Sequence, residues 1–188
     1  MSVKINSRTT IHQGRVFTLV TENIILPNEV AIDIDILRHP GASAIVPLSH
    51  KNTVILIKQY RHAIGEYIWE IPAGTLDPEE SPMACAKREL TEETGFSANQ
   101  WRKLGEITPV PGYSDERIHI FLATDLTPAK QNLDKDEVLN VHEIGFDQGI
   151  KMIYKGEIQD SKTIAGLFMA KGISDQGIFQ GSDGSRVL

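Results

Sequence analysis

The segment of residues 74–96 constrains this chain more than any other, because it combines helix boundary signals with carboxylates at fixed offsets. It reads Gly-x5-Glu-x7-Arg-Glu-Leu-x-Glu-Glu-x-Gly-Phe. Ser81 and Pro82 have the form of an N-cap and a first helical residue, and Gly95 can adopt the left-handed conformation that often ends a helix. The segment therefore predicts a helix over residues 82–94.

Three carboxylates share one face of this predicted helix. Glu89 and Glu93 are four residues apart, and Glu92 lies three beyond Glu89. Like charges at this spacing cost an isolated helix about 0.2–0.5 kcal/mol per pair, so the arrangement gains nothing unless a cation lies between them. Carboxylate oxygens suit a hard cation such as Mg²⁺, which also binds substrate phosphates. The pattern predicts a metal site and phosphoryl chemistry; an ordinary solvated helix face is the alternative.

Arg88 is adjacent to this acidic face. It can pair with Glu80 or with Glu92, and such pairs are strong when they are charge-assisted and bidentate. We interpret Arg88, with Glu80, as orienting the carboxylates rather than contacting a substrate.

Composition and charge narrow the class of protein. A chain of 188 residues with 40 % hydrophobic content fits one domain with room for a small extension. We expect a cytoplasmic protein without membrane contact, because there is no long apolar run and no signal-peptide core. A net charge of -6 without a long basic run argues against nucleic-acid binding. Cys85 is the only cysteine and is predicted to pack rather than react.

Apolar periodicity predicts an α/β (α+β) protein, with a mixed sheet flanked by helices and an N-terminal antiparallel hairpin. In the hairpin, isoleucines alternate with Asp33 and Asp35, as expected for a sheet with one buried face. We divide the chain into an N-terminal β extension (1–40), a main domain (41–172) and a polar tail (173–188) that we expect to be disordered. The predicted strands are 15–25, 30–37, 42–48, 53–59, 103–108, 117–124 and 137–144, and the later helices are 146–154 and 161–169.

With every position of the 74–96 pattern present, the chain resembles the Nudix hydrolases, whose signature is this segment. The flanks IKQYRHAIGEYIWEIPAGTLD and EITPVPGYSDERIHIFLATDL are similar to the ADP-ribose pyrophosphatase branch, including Pro111 fifteen residues beyond the segment. The resemblance implies a Nudix fold and Mg²⁺- or Mn²⁺-dependent hydrolysis of the pyrophosphate in ADP-ribose or a related nucleoside diphosphate sugar. It also implies a homodimer formed through the N-terminal hairpin, with an active site shared across the interface.

The resemblance carries roles onto individual residues. Glu89 and Glu93 correspond to the principal metal ligands, Glu92 to an auxiliary ligand, and the backbone carbonyl of Ala73 completes the set. In relatives of this kind these groups hold metal ions that neutralise the phosphates and activate a water.

Other positions are predicted to meet the substrate. Arg61 corresponds to an arginine that contacts phosphates, although a plain surface arginine is the alternative. Glu70 is predicted to bind substrate or the dimer interface, with a structural use equally open, and Trp69 is favoured as a core residue over an adenine-stacking one.

Glu116 follows a predicted turn and is our candidate for a ribose or metal contact. Our candidate general base is Glu137, in the stretch Leu-Asp-Lys-Asp-Glu, with Asp134 and Asp136 as alternatives. It is equally open that this charged loop has no catalytic role.

Two other functions remain open from the sequence. One is hydrolysis of a different sugar nucleotide such as GDP-mannose. The other is a Nudix module that senses a ligand without turnover. Such modules commonly lose glutamates of the signature or carry an added domain, and this chain keeps every glutamate, which favours the enzyme.

Overall fold

The computed structural model describes residues 3–135 and 137–175. The chain forms two compact units. One contains the residues up to Gly41 together with Thr108–Arg117, and the other contains Ala42–Ile107 and the residues from Ile118 onward. Asp136 and most of the predicted polar tail, from residue 176, lie outside the described residues.

The first unit is a three-stranded antiparallel sheet in the order β1-β2-β3, with β1 at Lys4–Gln13, β2 at Thr18–Ile25 and β3 at Ala31–Arg38. The predicted hairpin is confirmed as β2 and β3. The sequence analysis did not predict β1. All ten of its residues are exposed, so it has no buried face that would require apolar alternation.

A later segment returns to this sheet. The N–H of Leu37 donates to the carbonyl of Tyr113 (2.8 Å), and the N–H of Asp115 donates to the carbonyl of Leu37 (3.2 Å). Arg38 Nη1 also donates to Asp115 Oδ2 (2.9 Å). The sequence contains no local signal for this return, which groups Thr108–Arg117 with the N-terminal residues.

Among the described residues, the second unit contains two sheets and three helices. The four-stranded sheet has the order β7-β4-β9-β8, in which only β4 and β9 are parallel, and the antiparallel sheet has the order β10-β5-β6. The predicted mixed α/β architecture is therefore confirmed. The elements are β4 Ala42–Pro47, β5 Thr53–Arg61, β6 Glu66–Glu70, β7 Ala73–Thr75, α1 Pro82–Thr94, β8 Phe96–Ile107, β9 Ile118–Pro128, β10 Leu139–Gly145, α2 Phe146–Tyr154 and α3 Ser161–Asp175.

Several bounds differ from the prediction. Helices α1 and α2 have the predicted limits, whereas α3 continues from residue 169 to Asp175. The two short strands β6 and β7 were not predicted, because five and three residues are too few to show a period. None of the described helices is both long and apolar enough to cross a membrane.

Strand β4 is buried along its whole length because helices cover both of its faces. Ala44 and Val46 belong to a core that includes Leu167 of α3, while Ile45 packs with Ala86 and Leu90 of α1. One side of α1 is thereby fixed to the sheet. The glutamates at positions 89 and 93 lie on another part of the helix, next to β7.

Candidate active site

Local capping determines where α1 begins and ends. The Ser81 Oγ accepts a hydrogen bond from the N–H of Ala84 (3.2 Å), and Pro82 follows as the first helical residue. At the other end Gly95 is left-handed, with φ 71° and ψ 25°, and its N–H donates to the carbonyl of Thr91. The predicted helix is confirmed, and its register determines which side chains reach β7.

Gly74 permits the close approach of β7 to Glu89. A Cβ placed on Gly74 would lie 1.8 Å from Glu89 Oε1 and 2.0 Å from its Cδ, which no packing allows. The glycine is needed here because there is no space for a side chain. Its backbone conformation is not the reason, since its dihedrals are not those of the left-handed region. Glu89 is consequently only 7 % exposed.

Glu93 is buried one turn further along the helix, with 1 % of the residue exposed. Its Oε2 accepts a hydrogen bond from the N–H of Ala73 (2.8 Å). Among the described residues, no cationic side chain lies within ion-pair distance of Glu93. Burial, together with the charge of Glu89, raises the pKa of Glu93 well above its usual range, and the Ala73 hydrogen bond and the charge of Lys162 oppose this only in part.

The pKa of Glu89 is also raised. Burial raises the pKa of Glu89 to about 7. The Arg88 guanidinium lowers this pKa, whereas the charges of Glu92 and Glu137 raise it further. The charge of Glu137 also raises the pKa of Glu93. Two adjacent carboxylates thus lie in a place that penalises negative charge, which is an arrangement typical of functional sites.

Arg88 connects the acidic groups, as its position in the sequence suggested. It donates from Nε and Nη2 to Glu80 (3.0 and 2.8 Å), and from Nη1 to Glu89 (2.6 Å) and Glu92 (3.1 Å). A further bond from Nη2 reaches the carbonyl of Thr75 (3.3 Å). These hydrogen bonds raise the pKa of Arg88, and the same guanidinium lowers the pKa of Glu80. An orienting role for Arg88 and Glu80 stays a prediction.

Cys85 lies on the same helix and is fully buried. Its Sγ faces the carbonyls of Gly74 (3.4 Å) and Thr75 (3.7 Å), and burial raises the pKa of the thiol to about 12. A thiol with so little thiolate at neutral pH is a poor nucleophile, which agrees with a packing role.

The donor set fits a divalent cation shared with a ligand. Within residues 3–135 and 137–175, no group of three or more His, Cys, Asp or Glu side chains is arranged to hold a metal. Mg²⁺, however, usually takes only one or two carboxylates and completes its octahedron with waters and substrate phosphates. The Glu89 and Glu93 carboxylates, whose charge is disfavoured by burial, match that requirement.

Arg61 and Glu70 form a second charged group, on β5 and β6. Arg61 donates from Nε to Glu70 Oε1 (2.6 Å) and from Nη2 to Oε2 (2.8 Å). Lys162 Nζ also contacts Glu70 Oε2. Although burial alone would raise it, these partners hold the pKa of Glu70 below its usual value, and the Glu70 bonds raise the pKa of Arg61. The sequence analysis predicted roles for Arg61 and Glu70 but missed Lys162.

The remaining predicted residues lie in three places. Trp69 packs partly against the core, with His142 edge-on at 4.8 Å. Glu137 accepts a hydrogen bond at Oε2 from the N–H of Asp134 (2.9 Å). Glu116 lies in the first unit, with its carboxylate 3.9 Å from His39 Nδ1. A catalytic role for Glu137 and a ribose or metal contact for Glu116 remain predictions.

Comparison with known proteins gives the family to which the chain belongs. The NUDIX domain model matches residues 37–166. The chain is 37 % identical to the ADP-ribose pyrophosphatase of Bacillus subtilis, over 84 % of this chain and 86 % of that protein. It is 38 % identical to the methanol dehydrogenase activator of Bacillus methanolicus (82 % and 84 % covered) and 36 % identical to the GDP-mannose pyrophosphatase of Klebsiella pneumoniae (68 % of each).

A solved structure described as an ADP compounds hydrolase has the same fold. It aligns with a TM-score of 0.82 at 25 % identity, covering 95 % of this chain and 98 % of that one. The family match spans more than half of the chain, including the whole 74–96 segment. The chain therefore belongs to the Nudix family.

Proposed function

We propose that this protein hydrolyses the pyrophosphate of ADP-ribose, or of a related nucleoside diphosphate sugar, to a nucleoside monophosphate and a sugar phosphate. The observation that carries the proposal is the pair of buried carboxylates at Glu89 and Glu93, whose pKa values are raised. A carboxylate pair of this kind is stabilised when a divalent cation binds it. The similarity to an ADP-ribose pyrophosphatase over most of both chains supports the same reaction.

The metal in this proposal is Mg²⁺ or Mn²⁺, held by Glu89 and Glu93, with Glu92 as an auxiliary ligand and the carbonyl of Ala73 completing the set. When bound, such an ion neutralises phosphate charge, polarises phosphorus and lowers the pKa of a coordinated water. The chain supports this by holding Glu93 through the Ala73 N–H (2.8 Å) and Glu89 through Arg88 (2.6 Å).

Substrate contacts are assigned to Arg61, Glu70 and Glu116. The planar guanidinium of Arg61 suits the oxygens of a diphosphate. Glu70 acts mainly through Arg61, because both of its oxygens already accept hydrogen bonds from that arginine. We assign Glu116 to the ribose, as the sequence suggested.

Glu137 is our candidate for the group that takes the proton from the attacking water. Its charge is felt by both Glu89 and Glu93, since it raises the pKa of each. A carboxylate in a loop near the reacting water is a suitable general base provided it comes within hydrogen-bond reach of that water. Arg88 and Glu80 keep the neighbouring carboxylates oriented.

GDP-mannose is the second candidate substrate, because relatives named GDP-mannose pyrophosphatases match this chain at 34–38 % identity. We further propose that the enzyme is a homodimer, as the family resemblance implies, and that it is cytoplasmic, as the sequence analysis expects. Gel filtration with light scattering tests the assembly: a monomer with full activity would refute a site shared between copies.

A substrate panel tests the proposed function. ADP-ribose, GDP-mannose, UDP-glucose, NADH and diadenosine polyphosphates are incubated with Mg²⁺, and phosphate is measured after coupling to a phosphatase. We expect ADP-ribose or another nucleoside diphosphate sugar to be hydrolysed fastest. If none is hydrolysed while ADP-ribose still binds, the protein is a ligand-sensing module instead.

A further inference from the structure

The charged group of Arg61, Glu70 and Lys162 joins three elements that are far apart in sequence. Arg61 ends β5, Glu70 ends β6, and Lys162 lies in the first turn of α3. Glu70 is 1 % exposed and Lys162 is 8 % exposed. Burying a cation and a carboxylate together is costly unless the geometry is well defined, so this pair has a specific arrangement to maintain.

The side chain of Arg61 does not extend away from the sheet. In the register of β5 with β6, Arg61 is opposite Glu66, whereas Glu70 is opposite Ile57. Four strand residues span about 13 Å, so the guanidinium reaches Glu70 only by folding back along the sheet over Gln59. Among the described residues, the side-chain hydrogen bonds that hold Arg61 in this folded-back position all go to Glu70.

The bonds to Glu70 leave much of the guanidinium available. An arginine has five N–H donors, and Glu70 takes one from Nε and one from Nη2. Three donors therefore remain, along the edge that carries Nη1, and 42 % of the side chain is exposed. Gln59, two residues earlier in β5 and so on the same face of the strand, is 6 % exposed, and its Oε1 has no hydrogen-bond partner among the described residues. This face keeps polar groups that the protein itself does not satisfy.

Lys162 in turn fixes Glu70. Its Nζ contacts Glu70 Oε2 and lies 3.1 Å from Asp160 Oδ2. Asp160 also accepts hydrogen bonds from the N–H (2.9 Å) and the Oγ1 (2.5 Å) of Thr163, and Thr163 Oγ1 accepts one from the N–H of Ile71 (2.8 Å). The first turn of α3 is thus attached both to the carboxylate of Glu70 and to the backbone of the residue after it.

We propose that Lys162 is a positioning residue for Arg61. By fixing Glu70 at the end of β6, Lys162 holds the guanidinium folded back, so that its remaining donors face the diphosphate of the substrate. Lys162 also neutralises part of the negative charge of Glu70. The positive charge of Arg61 is therefore less fully compensated by Glu70 and attracts the diphosphate more strongly. This inference rests on the proposed function, and it adds a residue of α3 that does not itself touch the substrate.

The test compares Lys162→Met with Lys162→Arg and with a matched control, Lys155→Met. Lys155 is an exposed lysine whose partner Glu157 is 3.7 Å away. With the best substrate of the panel, we expect Lys162→Met to raise KM about tenfold and to change kcat less than threefold, because substrate binding and not the chemical step is affected. Lys162→Arg should recover most of the loss, and the control should match the wild type.

A double-mutant cycle shows whether Lys162 acts through Arg61. In an Arg61→Lys background, Lys162→Met should change KM less than twofold, because the group it positions is already gone. The affinity for ADP-ribose, measured by calorimetry, gives the same comparison without turnover. If Lys162→Met does not fold, the paired variant Glu70→Gln/Lys162→Met removes both buried charges and serves in the cycle instead.

The outcomes separate this inference from the proposed function. A wild type that neither hydrolyses the panel nor binds ADP-ribose overturns both. A wild type that hydrolyses its substrate, while Lys162→Met leaves KM unchanged or adds its full effect in the Arg61→Lys background, overturns only the positioning role. A lowered melting temperature with unchanged KM likewise assigns Lys162 to stability alone.

Discussion

Glu70 and Glu93 are equally buried, yet their pKa values move in opposite directions. Each is 1 % exposed, and burial by itself raises the pKa of both. Around Glu70, Arg61 and Lys162 reverse that effect. Around Glu93, the charges of Glu89 and Glu137 add to that effect, and the Ala73 hydrogen bond and the charge of Lys162 offset it only in part.

The difference separates a carboxylate whose charge is compensated inside the protein from one that we propose to bind a cation. The charge of Glu70 is compensated inside the protein, so the folded state is stabilised by keeping Glu70 ionised. The charge of Glu93 is compensated by one backbone hydrogen bond, from the N–H of Ala73, and more weakly by the charge of Lys162, which forms no ion pair with Glu93 among the described residues. Glu93 therefore becomes favourably ionised when a cation is supplied from outside, which is the behaviour expected of a metal ligand.

Glu93→Gln is predicted to have the largest effect, which is on turnover. We expect Mg²⁺-dependent turnover to fall at least about a thousandfold, or ~4 kcal/mol, because a ligand oxygen and its charge are lost. The metal-free variant should melt no lower than the wild type, because removing a poorly compensated buried carboxylate costs the fold nothing. Turnover and thermal unfolding are measured on the same samples.

Glu157→Gln is the matched control for that change, because Glu157 is exposed and pairs only loosely with Lys155 at 3.7 Å. It should leave both measurements unchanged. An active Glu93→Gln variant would remove the central assignment. A variant that fails to fold would reverse the comparison with Glu70.

The sequence predicted the region around Glu93 far better than the region around Glu70. The boundaries of α1 follow from Ser81, Pro82 and Gly95, which act through contacts within a few residues, and the helical spacing then places Glu89 and Glu93 together. Local signals of this kind are readable without a structure.

Lys162 and Glu70 are 92 residues apart, and no local pattern links them. A lysine in the first turn of a helix is ordinary, and only tertiary packing buries it against a carboxylate. The same holds for Thr108–Arg117, whose return to the first unit depends on hydrogen bonds to Leu37. Strand β1 escaped prediction for a different reason, since its residues are all exposed.

Glu70→Gln gives the second largest expected effect, this time on stability. Breaking a buried ion pair by removing one partner should cost about 3 kcal/mol near neutral pH. The sign of the pH dependence follows from the lowered pKa of Glu70: its stabilisation is present above its ordinary pKa of 4.5 and is lost as the pH falls through its folded value.

Urea unfolding of wild type and Glu70→Gln between pH 7 and pH 3 measures this dependence. The two proteins should differ most near neutrality and converge in acid, where Glu70 is protonated and resembles glutamine. A gap that stays constant across the range would mean that the charge of Glu70 does not stabilise the fold.

A smaller effect is expected for Gly74→Ala. The new Cβ would lie 1.8 Å from Glu89 Oε1, so the Glu89 carboxylate must move. We expect turnover to fall about thirtyfold, or ~2 kcal/mol, with a weaker apparent affinity for Mg²⁺. Gly112→Ala is the control, because a Cβ there meets nothing within 4 Å. Equal activities of the two variants would show that the position of Glu89 does not matter.

Direct binding of Mn²⁺ tests the central claim, that Glu89 and Glu93 hold a divalent cation. Electron paramagnetic resonance of free Mn²⁺ gives the dissociation constant for the wild type and for Glu89→Gln/Glu93→Gln, with ADP-ribose present and absent. We expect the wild type to bind Mn²⁺ more tightly with ADP-ribose, and the double variant to bind at least about a hundredfold more weakly. Equal affinity of the two proteins for Mn²⁺ would contradict the claim.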